Sequence, residues 1–181
     1  CVKASVIPCV SVFSIESLRR AIKAGFKIIK IPSGEVTNIP LLREVAKIDM
    51  PVILSSGMSN WKELDNAIDE LKKIKNLCVL QCSSIYPTPP EKVGLNILDE
   101  LKKRYKIPYG LSDHTLSGAT SISAVTKGAR VIEKHFTISK KLYGPDARFS
   151  LEPDEFEKLV EDINYVQKAL INNIDKNAID S

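Results

Sequence analysis

Several things are scarce in this chain. Of its 181 residues, 4 are cysteine, 8 are glycine and 6% are aromatic. No apolar run reaches the roughly 18 residues that a membrane helix needs, and the first residues show no basic stretch leading into an apolar one, the pattern of a secretory leader. Neither GxGxxG nor GxxxxGK[ST] occurs, which weakens a nucleotide-binding open sheet. Collagen, coiled coil and wholesale disorder do not fit a chain that is 44% hydrophobic and 27% charged with 10 prolines. The net charge of +4 comes from 26 basic and 22 acidic residues that are interspersed, so it gives no indication of nucleic-acid binding. Neither a nucleic acid nor a membrane is an expected partner.

The four cysteines are Cys1, Cys9, Cys78 and Cys82, and no two of them form CxxC. Cys78 and Cys82 share the run LCVLQC. As a strand it would hold them about 13 Å apart on one face, too far for a disulfide. Reduced, buried thiols in a cytoplasmic protein are the expectation.

What the chain does contain is a regular alternation. Short apolar runs occur at residues 6–12, 26–31, 51–55, 77–82, 107–111 and 131–136. Their length and richness in Val, Ile and Leu suit strands buried on both faces of a parallel sheet. Amphipathic stretches lie between them. Ser14 caps a predicted helix whose apolar face includes Leu18, Ala21 and Ile22. Asn60, with Glu63 three residues on, caps another carrying Leu64, Ile68, Leu71 and Ile74. Residues 95–105 and 115–127 read similarly. Pro153, Asp154 and Glu155 open a last helix with Phe156, Leu159, Val160, Ile163, Val166 and Leu170 on its apolar face. Residues 172–181 have no periodic face and read as a tail or linker. Six strand–helix units imply right-handed βαβ crossovers, and both a (β/α)8 barrel and an open doubly wound sheet accommodate them.

Polar residues gather after the predicted strands, as PSGE, SSGMSN, CSSIYPTPP and SDHT, and the last strand carries Glu133, Lys134 and His135. In α/β folds this edge holds the ligand, whereas for any one loop simple helix capping explains the same residues. His114 and His135 are the only histidines, and each follows a predicted strand end. Neighbouring strands lie about 4.8 Å apart, so the two rings can reach one divalent metal; two unrelated histidines are the alternative. Lys30 interrupts an apolar strand, and turned inward near Ser33, Ser55 and Ser112 it would form an anion site. Glu133 and Lys134 are adjacent on one strand and so face opposite ways.

Taken together, KIPSGEVTNIPLL (30–42), PVILSSGM (51–58), YPTPPEKVGLN (86–96), GLSDHTLSG (110–118), VIEKHFT (131–137) and GPDARFSLEPDEF (144–156) resemble the phosphoenolpyruvate-condensing sialic acid synthase family. The resemblance implies a (β/α)8 TIM barrel and a carbon–carbon bond-forming transferase that joins phosphoenolpyruvate to N-acetylmannosamine or a related sugar and releases phosphate. It implies Mn2+ or Mg2+ held by His114 and His135. It implies that phosphoenolpyruvate is bound by Ser11, Lys30, Ser33, Ser55, Ser84 and Ser112, that Glu35 faces the reacting centre and that Tyr86 and Asp146 contact the sugar. Asp113 is expected to orient His114 from behind.

The segments correspond to strands three to eight of that barrel. The expected organisation is therefore a partial synthase barrel over residues 1–171, without the first two strand–helix units, and a tail at 172–181 leading towards an absent C-terminal antifreeze-like domain. A full-length form is expected to be a homodimer. Ser11 stands at a threonine position of many members, Ser84 where some have asparagine, and Ala147 and Arg148 where histidine and lysine are frequent. The SGE and SLEPDE segments look closer to the N-acetylneuraminate branch than to legionaminic, pseudaminic or spore-coat polysaccharide synthases. Two readings compete with a synthase: a non-catalytic barrel piece serving in assembly, and a phosphate-binding aldolase with Lys30 or Lys134 as its Schiff-base lysine.

Overall fold

The structure is a computed structural model that describes residues 2–172 and 174–178. Six parallel strands form one curled sheet in strict chain order: β1 (Cys9–Ser11), β2 (Ile28–Ile31), β3 (Val52–Ser55), β4 (Leu77–Cys82), β5 (Tyr109–Asp113) and β6 (Val131–Lys134). Five fall within their predicted apolar runs, whereas β5 starts two residues later than the run at 107–111 and continues through Ser112 and Asp113. Helices α1 (Ile15–Lys23), α2 (Ile39–Val45), α3 (Trp61–Leu71), α4 (Asn96–Tyr105), α5 (Ala119–Thr126) and α6 (Pro153–Ile171) follow the strands in turn. The result is a partial TIM barrel, curled but open, with β1 and β6 as its edges.

The helix starts are written in the sequence. Ser14 and Ser17 bond reciprocally at the start of α1, and Asn60 and Glu63 do the same at α3. Three expectations need correction. Ile22 is 43% exposed while Leu18 and Ala21 are buried, so the α1 face is narrower than its spacing implied. The helix expected from residue 115 begins at Ala119, because the backbone N–H and C=O of Thr115 are bonded to Asp113 and Lys134 instead of a helical ladder. In α6 only Leu159 is buried, and Val160 and Leu170 are exposed. That helix packs chiefly on α5, and Phe156, Ile163 and Val166 of its predicted stripe are half-buried.

Register decides what each face carries. Ser11 lies opposite Lys30, Lys30 opposite Ile53, Cys82 opposite Ser112, and Ser112 opposite Glu133, so these share the concave face. The intervening residues Ile29, Ile31, Val52, Leu54, Val79 and Leu111 share the convex face. There they pack with Leu41, Leu42, Leu64, Leu98 and Leu101 of the helices into one core. The strands are thus apolar towards the helices, and on the concave face Ile28, Ile53, Leu80 and Val131 give way to polar groups towards the C-terminal ends, so they are not uniformly apolar on both faces. Gly110 is required on β5 because a Cβ there would strike the Val131 carbonyl oxygen on the neighbouring strand. Outside the sheet, α3 and α4 are joined by Arg104, whose Nε lies 2.7 Å from Asp65 Oδ1 and whose guanidinium lies 5.1 Å from the Trp61 ring.

Leu111 sits in the middle of this core at 1% exposure. Leu111→Ala is expected to cost about 2–5 kcal/mol of folding free energy by leaving a cavity that strands on both sides cannot close. Urea unfolding of the variant against the parent checks it.

Candidate active site

At the C-terminal ends of the strands the concave face opens into a cleft of about 540 Å³. A larger groove of about 750 Å³ lies over the outer helices, but surface residues such as Arg43, Glu70 and Lys73 line it and no buried polar group points into it. The cleft is where the chemistry converges.

At its floor Lys30 reaches across from β2 to Glu133 on β6. Its Nζ lies 2.8 Å from Oε2 and 3.0 Å from Oε1, and the lysine side chain is only 9% exposed. Ser112 Oγ donates to the same carboxylate at 2.6 Å. Burial pushes the Glu133 carboxyl upwards, but the Lys30 charge and these hydrogen bonds outweigh it and hold the group below its ordinary value. Glu133 is therefore ionised, and Lys30 has a partner that balances its buried charge.

His114 and His135 stand directly above. His114 follows β5 and is buried, and its Nδ1 lies 2.8 Å from the Ser83 carbonyl oxygen. A carbonyl cannot donate, so Nδ1 carries the proton and Nε2 presents its lone pair. Burial lowers the His114 pKa, with the Ser83 carbonyl opposing, and so favours the neutral ring. The His135 ring lies edge-on at 5.1 Å between centroids. Tyr86 stacks on His114 at 4.2 Å, and Phe149 closes the cluster at 5.5 Å from His135. Asp146 Oδ2 is 3.7 Å from His135 Nδ1, at the exposed rim.

On the opposite wall a small polar cradle forms. The backbone N–H of Gly57 donates to Ser33 Oγ at 3.0 Å. A Cβ on Gly57 would come within 2.8 Å of Ser84 Oγ, 2.9 Å of Cys82 Sγ and 3.0 Å of Ser33 Oγ, so glycine keeps this corner open. Ser55 Oγ, on the same wall, is buried without a hydrogen-bond partner among the described residues.

The sequence-derived candidates divide as follows. Ser11, Lys30, Ser33, Ser55, Ser84, Tyr86, Ser112, His114 and His135 all line the cleft. Asp146 is at its edge. The Glu35 carboxylate does not line it and instead accepts from Asn38 Nδ2 at 2.7 Å. Asp113 does not touch His114. It faces the helices, and so does Lys134, which removes Lys134 as a Schiff-base candidate for the cleft. Cys78 and Cys82 are buried and unpaired as expected, but Cys9 is exposed and Cys1 lies outside the described residues. Glu133 as the Lys30 partner, and Cys82 and Phe149 as neighbours, were not singled out. Strand alternation is the signal for Glu133: it stands two residues before His135 and so shares its face, as Ser112 does with His114.

A curled parallel half-barrel with its polar groups at the C-terminal strand ends is a barrel of the TIM type. The chain belongs to the NeuB family, whose model matches residues 1–175. It is 43% identical over 168 residues to the N,N'-diacetyllegionaminic acid synthase of Campylobacter jejuni, covering 91% of this chain and 50% of the relative. It is 39% identical over 143 residues to the human N-acetylneuraminate-9-phosphate synthase, covering 78% of this chain and 40% of that protein. The N-acetylneuraminic acid synthetase of Leptospira borgpetersenii, solved with citrate, matches at a TM-score of 0.85 with 34% identity, covering 91% of this chain and 58% of the other. The chain thus spans about half the length of the curated relatives it matches.

Because Glu133 is held below its ordinary carboxylate value of 4.5, its ionised, paired form stabilises the fold above that pH, and the contribution is lost as pH falls through the lower folded value. Unfolding free energy is expected to decline over that acid window. Glu133→Gln should remove part of the decline, read by urea titrations from about pH 7 to about pH 3.

Proposed function

We propose that the cleft binds phosphoenolpyruvate beside a divalent metal, and that the protein to which this chain corresponds condenses phosphoenolpyruvate with an N-acetylated amino sugar to make a sialic-acid-type product and inorganic phosphate. The observation that carries the reading is the convergence of one buried lysine, an unsatisfied serine hydroxyl and two imidazoles in a single cleft at the strand ends.

The donor set fits a catalytic metal. His114 offers Nε2 because Nδ1 is committed to Ser83, and His135 faces it. Among the described residues no cluster of three or more His, Cys, Asp or Glu is placed to hold a metal ion. Two imidazoles leave positions for substrate oxygens, as a catalytic site requires and a structural one does not. Mn2+ or Mg2+ bound there supplies a Lewis acid for the oxygen of the sugar aldehyde.

The chain's own residues do the rest. Lys30 provides the fixed positive charge for the phosphoenolpyruvate anion, and the Ser55 hydroxyl finds in that anion the acceptor it otherwise lacks. Ser33 and Ser84 cradle the phosphate beside Gly57, where no Cβ obstructs it, and Ser11 and Ser112 complete the hydroxyl lining. Tyr86 supplies an aromatic wall and Asp146 an acceptor at the rim, suited to a polyhydroxylated sugar. Glu35 would join them by exchanging Asn38 for substrate. The identity to a legionaminic acid synthase makes a diacetamido sugar the competing substrate to N-acetylmannosamine.

Calorimetric titration tests the reading. Lys30→Met is expected to weaken phosphoenolpyruvate binding by about 2–3 kcal/mol, the worth of a charge-assisted contact. His114→Ala and His135→Ala should each abolish tight Mn2+ binding while leaving the circular dichroism spectrum intact. Parent-like phosphoenolpyruvate affinity in Lys30→Met, or parent-like Mn2+ affinity in both histidine variants, would refute the assignment.

A further inference from the structure

Behind the histidines, on the face of the sheet turned away from the cleft, a second ion pair is sealed in. Lys134 Nζ lies 3.0 Å from Asp113 Oδ2, and the two side chains are 2% and 0% exposed. Both groups are saturated. Asp113 accepts from the Thr115 backbone N–H at 2.9 Å, from Thr120 Oγ1 at 2.7 Å and from Ser121 Oγ at 2.6 Å. Lys134 Nζ donates to the carbonyl oxygens of Thr115 at 2.7 Å and Ser117 at 3.1 Å, so each of its three protons has an acceptor.

Stability is a poor reason for such a pair, because well-packed apolar residues in its place are often no worse. Its location supplies a better one. Asp113 ends β5 and directly precedes His114; Lys134 ends β6 and directly precedes His135; and the two are register partners across the strands. The pair joins β5 to β6 at the point where both imidazoles leave the sheet. Through Thr115 and Ser117 it also ties down the loop that leaves His114 on its other side. The His114 ring has its own anchor on Ser83, so Asp113 acts on it through the backbone and not by contact.

We propose that Asp113 and Lys134 are positioning residues that set the separation and mutual orientation of His114 and His135. The inference deepens the metal-site reading above and rests on it for its consequence, that the pair governs divalent-cation affinity.

The test uses Mn2+ alone, with the free ion counted by electron paramagnetic resonance, and the 15N imidazole signals of both histidines in metal-free protein. Lys134→Met is expected to weaken Mn2+ binding about tenfold to a hundredfold, the usual loss for a partner lying behind a metal ligand, and to move both imidazole signals. Lys134→Arg, which keeps charge and donors, should recover most of that loss. Asp65→Asn breaks the ion pair on the outer helices and is the control for general loosening: it should lower the melting temperature and leave both readouts unmoved. Should Lys134→Met fail to fold, the Asp113→Leu/Lys134→Met double variant, which buries no lone charge, replaces it with the same expectation. Parent-like affinity with unmoved imidazole signals would overturn the proposal, as would an equal loss in Asp65→Asn. If the parent binds no Mn2+ but Lys134→Met still moves both signals, the metal reading falls and the positioning role is upheld.

Discussion

Parallel strands in register give each side chain only two directions, and neighbouring strands must agree on them. With Lys30 opposite Ser11 and Ile53, and Glu133 opposite Ser112, the concave face is common to all six strands. The convex face is then left to the branched apolar residues that meet the helices. Slipping one strand by a single residue would put Ile29 or Leu111 in the cleft and Lys30 or Ser112 in the core. The burial of an oily layer on one side therefore guarantees the polar cleft on the other. The largest favourable free-energy term of the fold and the placement of the candidate site are one constraint.

Electrostatics works within that frame. Two consecutive residues of β6 carry opposite charges and point to opposite faces, and each finds a buried partner: Glu133 with Lys30 inside, Lys134 with Asp113 outside. A charge left alone at either place would cost several kcal/mol. The inner pair joins β2 to β6 at the floor of the cleft. The outer pair is saturated by hydroxyls and carbonyls and holds the strand ends from which the histidines project. β6 is an edge strand in this sheet, so its position depends on these pairs more than an inner strand's would.

The site is asymmetric in a chemically useful way. One wall is aromatic and imidazole, with Tyr86 and His135 each against His114, Phe149 and one another. The other is small and hydroxylated, built from Ser33, Ser55 and Ser84 around a glycine. The hydroxyls on that side, Ser55 Oγ among them without a partner in the described residues, are groups able to donate to an anion. The function proposed above places the sugar against the ring-lined wall.

Much of this was legible in the residues themselves. Apolar runs of the right length marked all six strands, Ser14 and Asn60 marked helix starts, and polar residues after each strand marked the edge where the cleft opens. These features are local, and they depend on spacing of two, three or four residues along one chain. Lys30, His114 and His135 were visible for the same reason: each is a polar exception at or just past the end of an apolar strand. What tertiary structure alone decided were the pairings across distance. That Glu133 answers Lys30 from 103 residues away, that Asp113 turns from His114 to Lys134, that Ser83 sets the His114 tautomer, and that Val160 and Leu170 of α6 remain uncovered all depend on which strands and helices become neighbours. A residue's own spacing shows the face on which it lies; only the register of the assembled sheet determines what waits on that face to meet it.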